Sequence, residues 1–145
     1  MTDTALHIEY CTTQELTPSD LRAFLSVGDA AYEEDVTPFR RDCGPGLHAL
    51  GRVRGALVTH ALIVARELQV AGSAPLRTAY IELVATDPSP QRKGYASALL
   101  REMVSQMTEY DIAALSPSEE SFYARLGTVA RLSPGADRDR AGVVA

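Results

Sequence analysis

The chain has 145 residues, of which 46% are hydrophobic and 23% are charged, and its formal net charge is -5. This length supports one hydrophobic core and is too short for two comfortable domains. The acidic balance argues against nucleic-acid binding, because such an interface needs a basic stripe that spans several phosphates. No apolar run approaches the roughly 20 residues of a membrane helix, so we expect no membrane association.

Cysteine and histidine usage gives no sign of a metal site. Cys11 and Cys43 lack metal-ligand spacing, and His7, His48 and His60 are scattered over predicted strands, where core or surface positions are commoner than ligation. Cys43 also lacks an obvious base partner, which argues against a catalytic thiol. The N-terminus has neither the basic nor the apolar segment of a signal peptide, so we predict a reduced, cytoplasmic protein.

The first two elements are predicted to be a strand and a helix. Residues 6–10 alternate apolar and polar side chains like a strand, and Thr17 is an N-cap candidate before a proline. We predict a helix from about Pro18 to Ala31. Residues 32–46 combine charges with two prolines and two glycines, which predicts a long loop. The predicted core face of the helix consists of Leu21, Phe24, Leu25, Gly28 and Ala31.

The middle of the chain is predicted to be rich in strands. Residues 47–71 read as two antiparallel strands joined by a short hairpin, and residues 78–86 read as the most buried strand. A loop at Gln91 then opens a helix, which is followed by a short strand over 111–115 and a last helix that ends at Gly127. The predicted apolar stripe of the helix after Gln91 consists of Ala98, Leu99, Met103, Val104 and Met107.

The last 18 residues differ in composition from the rest of the chain. Leu132 is the only large aliphatic residue in residues 128–145, which otherwise consist almost entirely of Ala, Gly, Arg, Val, Asp, Ser and Pro. We therefore assign residues 1–127 to one domain and predict an atypical tail that does not form a packed strand pair.

The stretch QRKGYA, residues 91–96, has the features of an anion site at a helix start. Gly94 removes a side chain where a ligand would approach backbone amides, and Arg92 and Lys93 add positive charge. The alternative is an ordinary helix start with solvated basic residues, and spacing alone favours neither interpretation. The stretch is neither a Walker loop nor a three-glycine dinucleotide fingerprint.

The same stretch fits the Gln/Arg-x-x-Gly-x-Gly/Ala signature of the GNAT acetyltransferases, and it follows a central strand as in that family. FYARLG, residues 122–127, resembles the second motif of the family. The resemblance covers residues 6–127 and implies an α+β GNAT fold, with a central mixed, mostly antiparallel sheet flanked by helices. DVT, GLHAL, YIELVAT and ALS...FYARLG are most similar to the aminoglycoside 2'-N-acetyltransferases.

This resemblance implies that acetyl-CoA is the cosubstrate and that it lies between two splayed strands. Backbone groups of Val84 and Ala85 would pair with its pantetheine arm, and amides of a bulged strand near Val84 would polarise the thioester carbonyl. The pyrophosphate would lie on the loop and the helix start. The residues that the resemblance assigns there are Gln91, Arg92, Lys93, Gly94, Tyr95, Ala96 and Ser97.

Two residues are candidates for proton transfer. Glu82 lies in a central strand, where a carboxylate is costly unless it is paired or hydrated; it is either a proton acceptor or a structural acid satisfied by an arginine or hydroxyl. The resemblance implies that Glu82 takes the proton of the amine and that Tyr123 protonates the departing thiolate. A phenol has a pKa of about 10 and is protonated at neutral pH.

The resemblance also places Asp35, Glu82 and Ser116 at the amine substrate. Asp35 forms an acidic cluster with Glu33 and Glu34, although such clusters are more often solvated surface. The implied reaction is acetyl transfer to a primary amine of a small cationic acceptor, for which an aminoglycoside, another small amine and a protein amine remain open.

The tail departs from the family, which continues after FYARLG with two more strands. We therefore hypothesise a truncated or altered C-terminal strand pair, whose loss would expose a sheet edge and favour a homodimer. The alternative function is a degenerate, non-catalytic acyl-CoA-binding domain, because the coenzyme loop could be retained after the acceptor site is lost.

Overall fold

The computed structural model describes residues 5–69, 71–89 and 94–115, and the backbone of residues 129–131 and 142–144. Within these residues, seven strands form one sheet in the order β1-β2-β3-β4-β5-β7-β6, and all neighbours are antiparallel except β4 and β5. The predicted α+β architecture with a mixed, mostly antiparallel sheet is therefore confirmed. In chain order the elements are β1 His7–Thr12, α1 Pro18–Tyr32, α2 Thr37–Cys43, β2 Leu47–Val53, β3 Ala56–Leu68, β4 Leu76–Thr86, α3 Tyr95–Gln106, β5 Ile112–Leu115, β6 Val129–Arg131 and β7 Gly142–Val144.

Helix α1 begins where its capping residues predict. The Thr17 hydroxyl accepts a hydrogen bond from the backbone N–H of Asp20 at 3.1 Å, and a proline follows the cap. Phe24 and Gly28 are buried as predicted, together with Val27, which the prediction omitted. Ala31 is exposed rather than in the core, because the chain from residue 31 to 35 lies on the surface.

Helix α2 corrects the prediction of a continuous loop over residues 32–46. The Asp35 carboxylate accepts a hydrogen bond from the backbone N–H of Thr37 at 3.0 Å, and Gly44 ends the helix with a φ of 78°. Val36, just before α2, is buried against α1, where a Cβ on Gly28 would lie 2.8 Å from a Val36 methyl carbon. Seven residues are about two turns, so they show no hydrophobic period from which a helix could be recognised.

The two faces of the sheet carry separate cores. Helices α1 and α2 cover one face, and α3 covers the other. On α3 the buried residues include Leu99 and Met103, as predicted, but Ala98 and Val104 are exposed and Leu100 is buried, so the predicted stripe is partly wrong. The α1/α2 core includes Phe24, Val27, Val36, Cys43, Leu50, Leu62 and Leu83, and the α3 core includes Ala49, Ala61, Ile63, Ile81, Leu99 and Met103.

The C-terminal segment contributes two short strands to the sheet. Strand β7 pairs antiparallel with β5 and with β6, so the expectation that the tail lacks a strand pair is wrong. Pairing uses backbone N–H and C=O groups, which the small residues of this segment supply as well as large ones do. Strand β5 is therefore an interior strand rather than a bare edge.

Among the described residues, no helix has the length and hydrophobicity needed to cross a membrane.

Two histidines are buried in the α1/α2 face of the sheet. His48 and His60 are both fully buried, and their Nε2 atoms contact the Thr13 hydroxyl at 3.1 Å and the Phe24 carbonyl at 2.9 Å, respectively. The His60 ring stacks on Phe24 with 3.6 Å between centroids. Burial lowers the pKa of each histidine to about 4, so both are neutral at pH 7.

These histidines predict loss of stability in mild acid. Because an unfolded histidine has a pKa of about 6.5, the unfolded chain binds more protons than the folded one between about pH 6.5 and 4. The free energy of unfolding should therefore fall as pH falls through this window, by up to about 1.4 kcal/mol per pH unit for each histidine.

Urea unfolding at several pH values between 6.5 and 4.5 measures this slope. His60→Gln should have a shallower slope than the wild type, and His7→Gln, at an exposed position, should follow the wild type. Equal slopes for the wild type and His60→Gln would contradict the prediction.

Candidate active site

The candidate site lies where β4 and β5 part. Their parallel pairing ends at Ile81 and Leu115, although β4 continues to Thr86. Residues 82–86, here called the open edge of β4, thus have no β5 partner within the described part of the chain, while Glu82, Ala85 and Thr86 still pair with β3. Unpaired backbone N–H and C=O groups at such an edge can bind an extended ligand as a further strand would bind.

A β-bulge lies in the open edge. Leu62 pairs with Glu82 and His60 pairs with Ala85, so one residue of β3 faces two residues of β4. Leu83 adopts the left-handed conformation, with a φ of 52°, at a bulge position that glycine usually occupies. For a residue with a Cβ this conformation costs about 1–2 kcal/mol. The bulge near Val84 that the resemblance implied is present.

The bulge changes which side chains share a face of β4. Ile81 packs in the α3 core, whereas Leu83, two residues later, packs in the α1/α2 core. Val84 contacts the α3 core, while Glu82 contacts Cys43 in the α1/α2 core. The prediction that Glu82 and Val84 share a face is therefore wrong, because the bulge interrupts the strand alternation on which it relied.

Glu82 is half-buried beside the thiol of Cys43. Burial raises the pKa of Cys43 to about 11, the Glu82 carboxylate and its hydrogen bond add to the rise, and Arg66 opposes it. The thiol is therefore protonated at neutral pH and donates to Glu82. The Arg66 guanidinium also lies over the Tyr80 ring, 5.6 Å from its centroid.

Two hydroxyl groups hold the carbonyls that follow the bulge. Thr59 on β3 donates to the Ala85 carbonyl oxygen at 2.9 Å, and Tyr32 at the end of α1 donates to the Val84 carbonyl oxygen at 2.8 Å. The sequence prediction missed Tyr32, because nothing local distinguishes an exposed tyrosine at a helix end. It also missed the role of Cys43, whose partner Glu82 lies on a distant strand.

The start of α3 has the geometry of an anion site. Gly94 is its N-cap with a φ of 74°, and a Cβ on this glycine would meet no atom within 4 Å. No side chain caps the helix among the described residues, and Tyr95, Ala96 and Ser97 form the first turn, whose amides have no partner within the helix. Amides that have no partner within the helix and the helix dipole both favour an anion there.

Asp35 is exposed, and its structural role is at the start of α2. The hydrogen bond from the Thr37 backbone N–H lowers the pKa of the Asp35 carboxyl, so it is ionised at neutral pH. Its assignment to the amine substrate stays a prediction. The other assigned residues lie outside the described residues: Gln91, Arg92, Lys93, Ser116 and Tyr123.

The described residues contain no group of three or more His, Cys, Asp or Glu side chains that could hold a metal ion. Two cavities, of about 490 and 250 Å³, flank Tyr110. Arg66 and Arg77 line the larger cavity, and Tyr10 and Met103 line the smaller one. The larger cavity lies near the start of β4, whereas the open edge is at its end.

Comparisons with known proteins agree with this geometry. Residues 12–129 match the family model described as an acetyltransferase (GNAT) domain. Escherichia coli ElaA is 19% identical, with a TM-score of 0.68 over 96% of this chain and 97% of its own. A GNAT family acetyltransferase from Brucella melitensis, solved in complex with acetyl-CoA, is 20% identical, with a TM-score of 0.67 over 98% of this chain and 96% of its own.

Other similar structures are longer. A GCN5-related N-acetyltransferase from Kribbella flavida is 20% identical, with a TM-score of 0.67 over 86% of this chain but only 33% of its own. The chain spans about a third of the length of several such proteins. At these identities the likeness concerns the fold alone. No curated protein matches the chain.

The burial of Cys43 and its contact with Glu82 predict slow thiol labelling. In a Cys11→Ser background, at pH 8, Cys43 should react with a disulfide reagent about two orders of magnitude more slowly than an ordinary thiol, because little of it is thiolate. Glu82→Gln removes the negative charge that raises the Cys43 pKa and should speed the labelling. The release of the chromophore measures both rates.

Exposed Glu67, on β3, provides the matched control, because Glu67→Gln removes a carboxylate elsewhere on the sheet. Labelling of Cys43 at an ordinary rate would contradict its burial, and an equal rate in Glu82→Gln and in the protein that keeps Glu82 would contradict the contact.

Proposed function

The chain belongs to the acetyltransferase (GNAT) domain family, and on that basis we propose that it transfers the acetyl group of acetyl-CoA to the primary amine of a small cationic acceptor. The observation that carries the proposal is the open edge of β4, where the strand continues beyond its pairing with β5. An edge of this kind suits the pantetheine arm, which has amide groups that can pair with a strand.

The residues around the open edge fit acetyl-CoA. Val84 offers its backbone groups to the pantetheine arm, beside a bulge that turns the strand. The uncapped first turn of α3, with Gly94 at its N-cap, offers amides to the pyrophosphate, and Arg92 and Lys93 would add positive charge. Support also comes from the similar fold of the Brucella melitensis protein, which was solved in complex with acetyl-CoA.

The proposed reaction is a direct transfer without an acyl-enzyme intermediate. The neutral amine attacks the thioester carbonyl carbon, a C–N bond forms as the C–S bond breaks, and coenzyme A leaves as its thiolate. Glu82 accepts the proton that the amine loses, and Tyr123 protonates the thiolate sulfur. The Glu82 carboxylate has a fixed neighbour in the Cys43 thiol, which limits its orientations.

The acceptor is proposed to enter from the face covered by α1 and α2, because Glu82 lies on that face. The turn between these helices carries exposed Glu33, Glu34 and Asp35, whose negative charges suit an acceptor with several ammonium groups. An aminoglycoside is one such acceptor, as the sequence resemblance suggests. Another small polyamine has the same chemistry.

Removing the carboxylate at Glu82 tests the proposal. Glu82→Gln should lower kcat/KM for the amine by about 10²–10⁴-fold, because general base catalysis is lost, while the Kd of acetyl-CoA should stay near the wild-type value. A thiol-release assay with a panel of aminoglycosides and polyamines gives the rates, and calorimetry gives the Kd. Glu67→Gln is again the matched control.

The possible results separate the two candidate functions. Turnover that depends on Glu82 supports the transferase. Acetyl-CoA binding without turnover of any amine would instead support a non-catalytic acyl-CoA-binding domain. A wild type that binds no acetyl-CoA would contradict both functions.

A further inference from the structure

Tyr32 joins the end of α1 to the open edge of β4. Its hydroxyl donates a hydrogen bond to the Val84 carbonyl oxygen at 2.8 Å, across 52 residues of sequence. The side chain is 41% exposed, so much of its ring does not serve as core packing. The hydrogen bond therefore ties this partly exposed side chain to β4.

The Val84 carbonyl points away from β3, toward the side of β4 that β5 leaves unpaired. Thr59, on β3, reaches the next carbonyl, that of Ala85, at 2.9 Å, so the Ala85 carbonyl points toward β3. Successive carbonyl groups of a strand point to opposite edges. Tyr32 therefore contacts β4 on the edge that is proposed to pair with the pantetheine arm.

The backbone of β4 at Val84 needs support from other elements because the preceding residue, Leu83, has a strained conformation. Leu83 is left-handed, with a φ of 52°, and strained backbone persists only where surrounding contacts hold it. The buried Leu83 side chain is one such contact, and the hydroxyls of Thr59 and Tyr32 are two others. Of these three contacts, Tyr32 is the one that bonds a carbonyl pointing away from β3.

The position of Tyr32 is itself fixed by the turn between α1 and α2. Glu33 ends α1 in the left-handed conformation, with a φ of 57°, and the Asp29 carboxylate accepts a hydrogen bond from the Val36 backbone N–H at 2.9 Å. Val36 is in turn buried against Gly28. The Tyr32 hydroxyl is therefore held by a braced turn rather than by a free helix end.

We propose that Tyr32 is a positioning residue of the acetyl-CoA site, whose hydroxyl holds the Val84 carbonyl so that the bulged edge of β4 is ordered before the pantetheine arm pairs with it. The inference rests on the proposed function for its cofactor, but the hydrogen bond and its effect on β4 can be tested in the absence of acetyl-CoA. The Tyr32 hydroxyl uses one lone pair of the Val84 carbonyl oxygen, so the second lone pair can still accept a hydrogen bond from a ligand N–H.

Tyr32→Phe removes the hydroxyl and keeps the ring. Tyr10→Phe is the matched control, because the buried Tyr10 hydroxyl has no hydrogen-bond partner among the described residues and lies on β1, at the other side of the sheet. Thermal unfolding of each variant establishes that both are folded. Amide hydrogen exchange of residues 83–86, without ligand, then reports the order of the open edge.

We expect faster exchange over residues 83–86 in Tyr32→Phe and wild-type exchange in Tyr10→Phe. In the same proteins, the Kd of acetyl-CoA should rise about three- to tenfold in Tyr32→Phe only, as befits one neutral hydrogen bond. Saturating acetyl-CoA should restore most of kcat, because the hydroxyl orders the binding edge and takes no part in proton transfer.

Unchanged exchange over residues 83–86 would overturn the proposal whether or not the protein binds acetyl-CoA. Tighter acetyl-CoA binding by Tyr32→Phe would also overturn it, since the hydroxyl would then compete with the cofactor for the carbonyl. A wild type that binds no acetyl-CoA, with faster exchange in the variant, would remove the proposed function and with it the assignment of Tyr32 to that site.

Discussion

The parting of β4 from β5 after Ile81 is the constraint on which the candidate site depends. Had the two strands stayed paired to Thr86, every backbone group of β4 would be bonded within the sheet, and no edge would remain for a ligand. The bulge at Leu83 adds a second condition, because it sends Glu82 and Val84 to opposite faces. The carboxylate proposed for the acceptor and the backbone edge proposed for the cofactor thus come from three consecutive residues.

Residues 32–43, from the end of α1 to the end of α2, supply the other contacts to this part of β4. The Tyr32 hydroxyl binds the Val84 carbonyl, and the Cys43 thiol contacts Glu82. This segment has no hydrophobic period and was predicted to be a loop. Its order comes instead from single contacts, such as the hydrogen bond from the Thr37 backbone N–H to Asp35 and the fit of Val36 against Gly28.

Sequence reasoning succeeded where the signal is local. The Thr17 cap, the strand alternation of β1 and the glycine at the start of α3 each depend on neighbouring residues, and each predicted its element. It failed where the cause is distant. No local pattern marks Leu83 as left-handed, since leucine gives no sign of a conformation that glycine prefers.

The strand pair of the tail escaped prediction for a related reason. Composition indicates which side chains can be buried, whereas these strands join the sheet through their backbones, β7 by pairing with β5 and β6 by pairing with β7. The assigned residues of the loop before Gly94 and of FYARLG lie outside the described residues, so their roles still rest on the resemblance alone.

The sheet also separates two hydrophobic cores, one on each face, which share no residue in the part of the chain that the structure describes. Under the proposed function, a substitution in α1 or α2 that spares Tyr32 would change the proposed acceptor face and leave the packing beneath α3 intact. Related chains with different α1 and α2 sequences would then share the proposed acyl donor and differ in the amine that they accept.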